Sequence, residues 1–162
     1  MSLHSWLHNE RGEWYVLLQV LLMAMVFVAH RIDAPERHLV EIRLDAPYLL
    51  GAVLAIAGVT IALLGVGALG RSLSPYPRPK AEAELHERGV YGIVRHPIYS
   101  GIVLWSLGWS VMYLSLATLA AALVLFAFFD IKARREERWL EQKFTGYTAY
   151  KQRVRKLIPF VY

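Results

Sequence analysis

Residues 98–129 read IYSGIVLWSLGWSVMYLSLATLAAALVLFAFF, 32 residues without one charged side chain. An α-helix rises about 1.5 Å per residue, so a single helix over this run would be about 48 Å long. The hydrocarbon core of a bilayer is only about 30 Å thick. Two shorter helices joined by a tight turn near Tyr113–Thr118 fit the run better. The polar clusters at its two ends then become neighbours on one side of a membrane.

Working outward, two more apolar blocks precede this run, Trp14–Ala29 and Tyr48–Leu69. Apolar residues make up 56% of the chain and mean hydropathy is +0.36, against about 45–50% apolar in soluble domains. The sequence therefore predicts an all-α integral membrane protein, one domain over residues 1–162. Its four transmembrane helices are expected at 14–30, 48–69, 98–114 and 117–131. Residues 70–97 and 132–162 are then cytoplasmic, the latter with an amphipathic helix over 147–157 that ends before Pro159.

Charge sets the orientation. With four spans, the N-terminus, the 70–97 loop and the C-terminal tail share a side and carry 15 Lys and Arg, against 3 (Arg31, Arg37 and Arg43) opposite. Positively charged loops stay in the cytoplasm, so both polar clusters are expected there, at the inner or plasma membrane if the protein is bacterial. The net charge of +5 suits anionic headgroups and needs no nucleic acid. The absence of cysteine excludes disulfides and a thiol nucleophile, and no metal site is expected. The first apolar block lacks a small-residue cleavage site and reads as a retained helix. Trp6 and Trp14 suit an interfacial belt.

Local patterns refine this outline. Gln19, alone among apolar neighbours, is expected to hydrogen-bond an adjacent helix. Gly51, Ala55, Gly58, Ala62 and Gly65 lie at steps of 4, 3, 4 and 3 and form a small-residue seam of the kind that lets membrane helices approach closely. The expected partner is the first or fourth helix. The connection over residues 31–45 is expected to be a surface loop with a short amphipathic turn. Pro75, Pro77 and Pro79 enforce an extended connector. The charged stretch 80–88 ends at Gly89, which reads as a helix stop.

The first cluster holds Arg95, His96, Tyr99 and Ser100 at the start of the third span, with Pro97 suited to its first turn. Such a helix start favours an anion, although an anchoring role alone would account for it. The second holds Asp130, Arg134, Glu136 and Glu137. Glu136 lies about 100° around the helix from Glu137, so one can face a pocket while the other pairs with an arginine. A solvated, salt-bridged face would also account for this run. Together, an anion site beside a carboxylate suits an amino-acid zwitterion. Tyr91, Tyr99, Trp139, Tyr147 and Tyr150 could supply faces for a planar base or a sulfonium. S-Adenosyl-L-methionine has all of these parts.

Gly89-Val90-Tyr91, then Arg95-His96-Pro97-Ile98-Tyr99-Ser100-Gly101, then Glu136-Glu137-Arg138-Trp139-Leu140 with Phe144, Gly146, Tyr147, Tyr150, Val154 and Pro159, resemble the isoprenylcysteine carboxyl methyltransferase and phospholipid methyltransferase superfamily. The resemblance covers roughly residues 70–160. It implies an integral membrane methyltransferase using S-adenosyl-L-methionine, with Gly89, Tyr91, His96, Pro97, Tyr99, Glu136 and Glu137 binding the cofactor. His96 and Tyr99 would hold its methionine part, the two glutamates its polar groups. Arg95 and Glu137 would carry catalysis. The acceptor would be lipophilic and reach the site from the bilayer, either an isoprenylcysteine-like carboxylate or a lipid amine; oligomeric state stays open. Two other readings are a membrane reductase similar to the sterol reductases, and a non-catalytic membrane scaffold. Against the first, position 98 is Ile where those reductases carry Asn.

Overall fold

The structure, a computed structural model, describes residues 12–34, 36 and 43–162. Trp6, Arg37, Glu41 and most of the loop expected to hold an amphipathic turn lie outside the described residues. Among the described residues six α-helices follow in order: α1 (Glu13–Val28), α2 (His30–Asp33), α3 (Ala46–Leu69), α4 (Pro97–Tyr113), α5 (Leu116–Lys143) and α6 (Tyr147–Arg153). Among the described residues the only extended pairing is one parallel bridge between Val94 and Arg155.

The long apolar run doubles back inside the expected window. α4 ends on Leu114, left-handed at φ 48°. Ser115 then caps α5 by accepting from the Thr118 amide at 3.0 Å. A left-handed leucine costs about 1–2 kcal/mol, and a second element offsets it. Asp33, at the end of α2, accepts from the Ser115 hydroxyl at 2.6 Å and from the Ala117 amide at 2.8 Å. The start of α5 is thus tied to the far end of the α1–α2 segment.

The glycine seam of α3 packs on α4, the expected third span, and not on the first or fourth span. The reason is a matching pair on α4: Gly101 and Gly108 repeat the seven-residue spacing of Gly51 and Gly58. A Cβ built on Gly58 would lie 2.5 Å from the Gly101 carbonyl oxygen, and one on Gly108 2.5 Å from the Ala55 amide. The antiparallel backbones are therefore in contact where only glycine fits. The core on the other side of α4 gathers Val26, Ala121, Leu125, Phe128 and Phe129 against Tyr99, Trp105 and Trp109.

Among the described residues, three helical segments are long and apolar enough to cross a membrane: Glu13–Asp33 with 21 residues, Ala46–Ser72 with 27 and Leu116–Lys143 with 28. Leu50, Val53, Ile56 and Leu63 of α3 are exposed, an arrangement suited to lipid. α4 has 17 residues, about 26 Å of helix.

Two expectations need correction. No helix forms over 80–88, and Gly89 opens a 3-10 turn (Gly89–Gly92) at φ 60° rather than stopping a helix. The C-terminal helix stops at Arg153 rather than running to 157. Beyond it the chain is extended because its carbonyls are needed elsewhere: Arg155 and Lys156 accept from the amides of Arg95 and His96 at 2.8 and 3.1 Å.

Candidate functional site

The fold-back and this C-terminal strap create the site. The strap fixes the backbone of Arg95 and His96 just before α4. Pro97, in the first helical turn, has no amide hydrogen to satisfy. Across from them, the last turns of α5 extend beyond the apolar stretch and carry the two glutamates inward.

Arg95 Nε donates to Glu137 Oε1 at 2.8 Å, and His96 Nε2 lies 3.2 Å from the same oxygen. Arg95 Nη1 also donates to the carbonyls of Lys151, at 3.1 Å, and Val154. All three side chains of this triad are buried, Glu137 being 3% exposed. Glu136, one position away on the helix, accepts from the Tyr99 hydroxyl at 2.7 Å and lies 3.8 Å from His96 Nδ1. The Tyr99 ring stacks between His96 (5.3 Å) and Phe129 (4.7 Å), so the aromatic stack itself sets where its hydroxyl goes.

These groups border a cavity of about 270 Å³ between α4, α5, α6 and the 72–86 connector. Tyr91, Arg95, His96, Tyr99 and Glu136 line it. Glu137 stands behind that wall and fixes Arg95 and His96. Gly89 and Pro97 are outside the lining as well: they shape the backbone that presents Tyr91 and His96. Of the aromatics expected around a ligand, Tyr91, Tyr99, Tyr147 and Tyr150 line the cavity, while Trp139 lies beneath Arg135, 5.0 Å away.

Burial pushes the phenols of Tyr91, Tyr147 and Tyr150 well above the usual tyrosine range; for Tyr147 the carboxylate of Glu137 adds to this. All three are neutral at physiological pH. Tyr150 donates to the Tyr91 carbonyl at 2.6 Å and Tyr91 to the Gly65 carbonyl at 3.3 Å. The Tyr147 hydroxyl, 1% exposed on the cavity wall, has no hydrogen-bond partner among the described residues. A buried hydroxyl left unsatisfied is costly, and a polar ligand would supply what it lacks. At the rim, the hydrogen bond to Glu141 raises the pKa of Lys151.

The phospholipid methyltransferase family model matches residues 46–146, more than half of the chain. The chain belongs to this family. Its relatives include a rice protein (Oryza sativa subsp. indica) named "Probable protein-S-isoprenylcysteine O-methyltransferase", 39% identical over 69% of this chain and 61% of that one. Protein-S-isoprenylcysteine O-methyltransferase B of Arabidopsis thaliana is 36% identical over 68% and 58% of the two chains. The Saccharomyces cerevisiae protein-S-isoprenylcysteine O-methyltransferase is 34% identical over 69% and 48%. The aligned part thus spans under two thirds of each relative. In fold, the chain resembles the eukaryotic intramembrane Ras methyltransferase, isoprenylcysteine carboxyl methyltransferase, with a TM-score of 0.66 at 24% identity, over 94% of this chain and 54% of that one.

Several cavity residues escaped the motif reading. Lys132 lies one helical turn before Glu136, and its ammonium donates to Gln19 Oε1 at 2.5 Å and to the Pro75 carbonyl at 3.3 Å. Gln19 does bond a neighbouring helix, as expected, and it also lines the cavity. Ser72, Leu85 and His86 of the connector complete the opposite wall. A lysine two positions into a charged stretch gives no sign that it points inward; only the four-residue spacing to Glu136 could have suggested it.

Proposed function

We propose that this protein transfers the methyl group of S-adenosyl-L-methionine to a lipophilic acceptor held in the membrane. The observation that carries the reading is the Arg95–His96–Glu137 triad. It joins the two ends of an apolar hairpin beside a cavity that offers a carboxylate, buried phenols and an orphaned hydroxyl. Such a lining fits a ligand with an amino-acid end, ribose hydroxyls and a planar base. When bound, the cofactor supplies an electrophilic methyl on a sulfonium.

The chain's own residues bind, orient and exclude water. Glu136 and Tyr99 hold polar groups of the cofactor, His96 and Tyr99 its methionine part, and Tyr147 gives its free hydroxyl. Arg95, fixed by Glu137 and the strap, stands where methyl transfer takes place.

A second cavity, of about 460 Å³ and lined almost wholly by apolar side chains, adjoins the first. Val94 and Ser100 line the second cavity, Arg95, His96 and Tyr99 the first. The start of α4 is therefore a shared wall, and an apolar acceptor tail in the second cavity brings its head to Arg95. The relatives' names favour an isoprenylcysteine-like carboxylate, which is already ionised and needs no general base. On this reading α4 is a fourth span and the cavity opens to the cytoplasm.

The test is titration of the detergent-solubilised protein with S-adenosyl-L-methionine and with NADPH. Incubation with methyl-labelled S-adenosyl-L-methionine then follows, together with an N-acylated S-prenylcysteine or phosphatidylethanolamine. Binding of S-adenosyl-L-methionine and label in the prenylcysteine ester are expected. NADPH binding alone would support a reductase, and binding of neither a scaffold.

A further inference from the structure

Two other cations at this end of the molecule have an opposite partner within reach: Arg95 has Glu137, and Lys156 has Asp130. Lys132 differs. It is 2% exposed, yet its bonded acceptors, Gln19 Oε1 and the Pro75 carbonyl, are both neutral, and it forms no ion pair among the described residues. An ammonium carries three N–H donors, and these two bonds leave one for a ligand. Burying a cation with no carboxylate in direct contact is costly; Glu136 acts on Lys132 only at a distance, so a ligand anion at the remaining donor would offset that cost.

The surroundings say which anion. Lys132 and Glu136 are four residues apart on α5, which puts them on one face of the helix, and both line the 270 Å³ cavity. Tyr99 links them: its ring lies 5.2 Å from Lys132 Nζ and its hydroxyl donates to Glu136. A cation and a carboxylate on adjacent turns, facing one cavity, match the two charges of an α-amino acid. Arg95 is already paired: its Nε and Nη1 are engaged by Glu137 and two strap carbonyls, whereas Lys132 has no carboxylate within ion-pair distance among the described residues.

We propose that Lys132 binds the α-carboxylate of the cofactor's amino-acid end, with Gln19 of α1 holding the ammonium in place, while Glu136 takes the α-ammonium. This rests on the reading of the cavity as an S-adenosyl-L-methionine site and adds a binding residue to it. It also makes α1 part of the cofactor site rather than packing alone.

The test compares S-adenosyl-L-methionine with its decarboxylated analogue, titrated by calorimetry into the full chain in detergent. Wild type should prefer the intact cofactor by about 10–100-fold, the range of one charge-assisted hydrogen bond. Lys132→Met should lose that preference: the intact cofactor weakens by the same factor, while the decarboxylated analogue binds as before or tighter. Lys132→Arg should retain most of it. Equal affinity of wild type for both ligands, or a preference that survives in Lys132→Met, would overturn the assignment while leaving the cofactor reading intact. Should Lys132→Met fail to fold, the wild-type comparison decides alone. If wild type binds neither ligand, the cofactor reading fails and this assignment goes with it.

Discussion

Arg95 and Glu137 are 42 residues apart in the chain, and their side chains meet at 2.8 Å. Between them runs the whole apolar hairpin, so this contact closes it at the polar end. The Asp33–Ser115 bond closes it at the other. Arg95 also reaches the carbonyls of Lys151 and Val154, so one guanidinium ties the start of α4, the end of α5 and the strap together. Lysine, with its point charge, cannot make this planar set of bonds.

Glu137→Gln should therefore act on stability as well as on binding. It leaves a buried guanidinium without its counter-charge, a change that costs about 3–5 kcal/mol in other proteins. Because the pair adjoins a cavity, the lower end of that range is expected. A thermal melt in detergent should shift down, and titration should show S-adenosyl-L-methionine affinity falling at least about tenfold, one 1.4 kcal/mol step. Wild-type melting together with wild-type affinity would remove Glu137 from the site.

Tyr99→Phe separates ring from hydroxyl. The stack with His96 and Phe129 survives, so the melt should change little. The donor to Glu136 is lost; a hydrogen bond to a charged group is worth about 1.5–3 kcal/mol. Glu136 then loses its fixed position, and S-adenosyl-L-methionine affinity should fall about tenfold or more. A folded variant that binds as wild type would show that Glu136 is positioned by other groups.

The hairpin was legible because 32 residues exceed what one membrane-spanning helix needs, and His96, Tyr99, Glu136 and Glu137 followed from its closure. The partner of the α3 seam was readable in principle, since Gly101 and Gly108 repeat the spacing of Gly51 and Gly58. Small residues nonetheless say only that some backbone comes close, not which one. The strap was not legible. Residues 154–157 have a helix-compatible pattern, and what holds them extended is the demand of two amides 60 residues earlier, a tertiary effect that overrides local preference. Lys132 was hidden for a similar reason, since inward and outward lysines look alike in a charged stretch.

The seam makes a contrast within one helix. Gly58→Ala would place a methyl 2.5 Å from the Gly101 oxygen and the Trp105 amide nitrogen. Both are backbone atoms, so the helices must separate, at about 1–3 kcal/mol of overpacking cost. Gly67, also in α3, would meet nothing within 4 Å. Gly67→Ala should be neutral or stabilising by about 0.5–1 kcal/mol. Melts of the two variants in the same detergent check this; equal shifts would mean that α3 and α4 are not in backbone contact.

Alkaline pH should release the cap over the site before the apolar helices separate. Tyr147 and Tyr150 pack with Val154, Leu85, Leu140 and Phe144, and Tyr91 is bonded to Tyr150 through its carbonyl. Burial raises all three phenols above the unfolded value, which is about 10. The folded state therefore holds protons that the unfolded state gives up. Their contribution is fully present below about pH 10 and is lost as pH rises from there towards the folded values, by about 1.4 kcal/mol per pH unit for each group. No loss from these groups is expected on the acid side. Melts between pH 8 and pH 11.5 should thus show a downturn beginning near pH 10, with S-adenosyl-L-methionine binding lost alongside it. Tyr147→Phe removes one of the three titrations and, because that buried hydroxyl has no partner among the described residues, should leave stability at pH 7 equal to wild type or slightly higher while making the downturn shallower. A downturn as steep in Tyr147→Phe as in wild type would mean that this phenol is not held neutral by the fold.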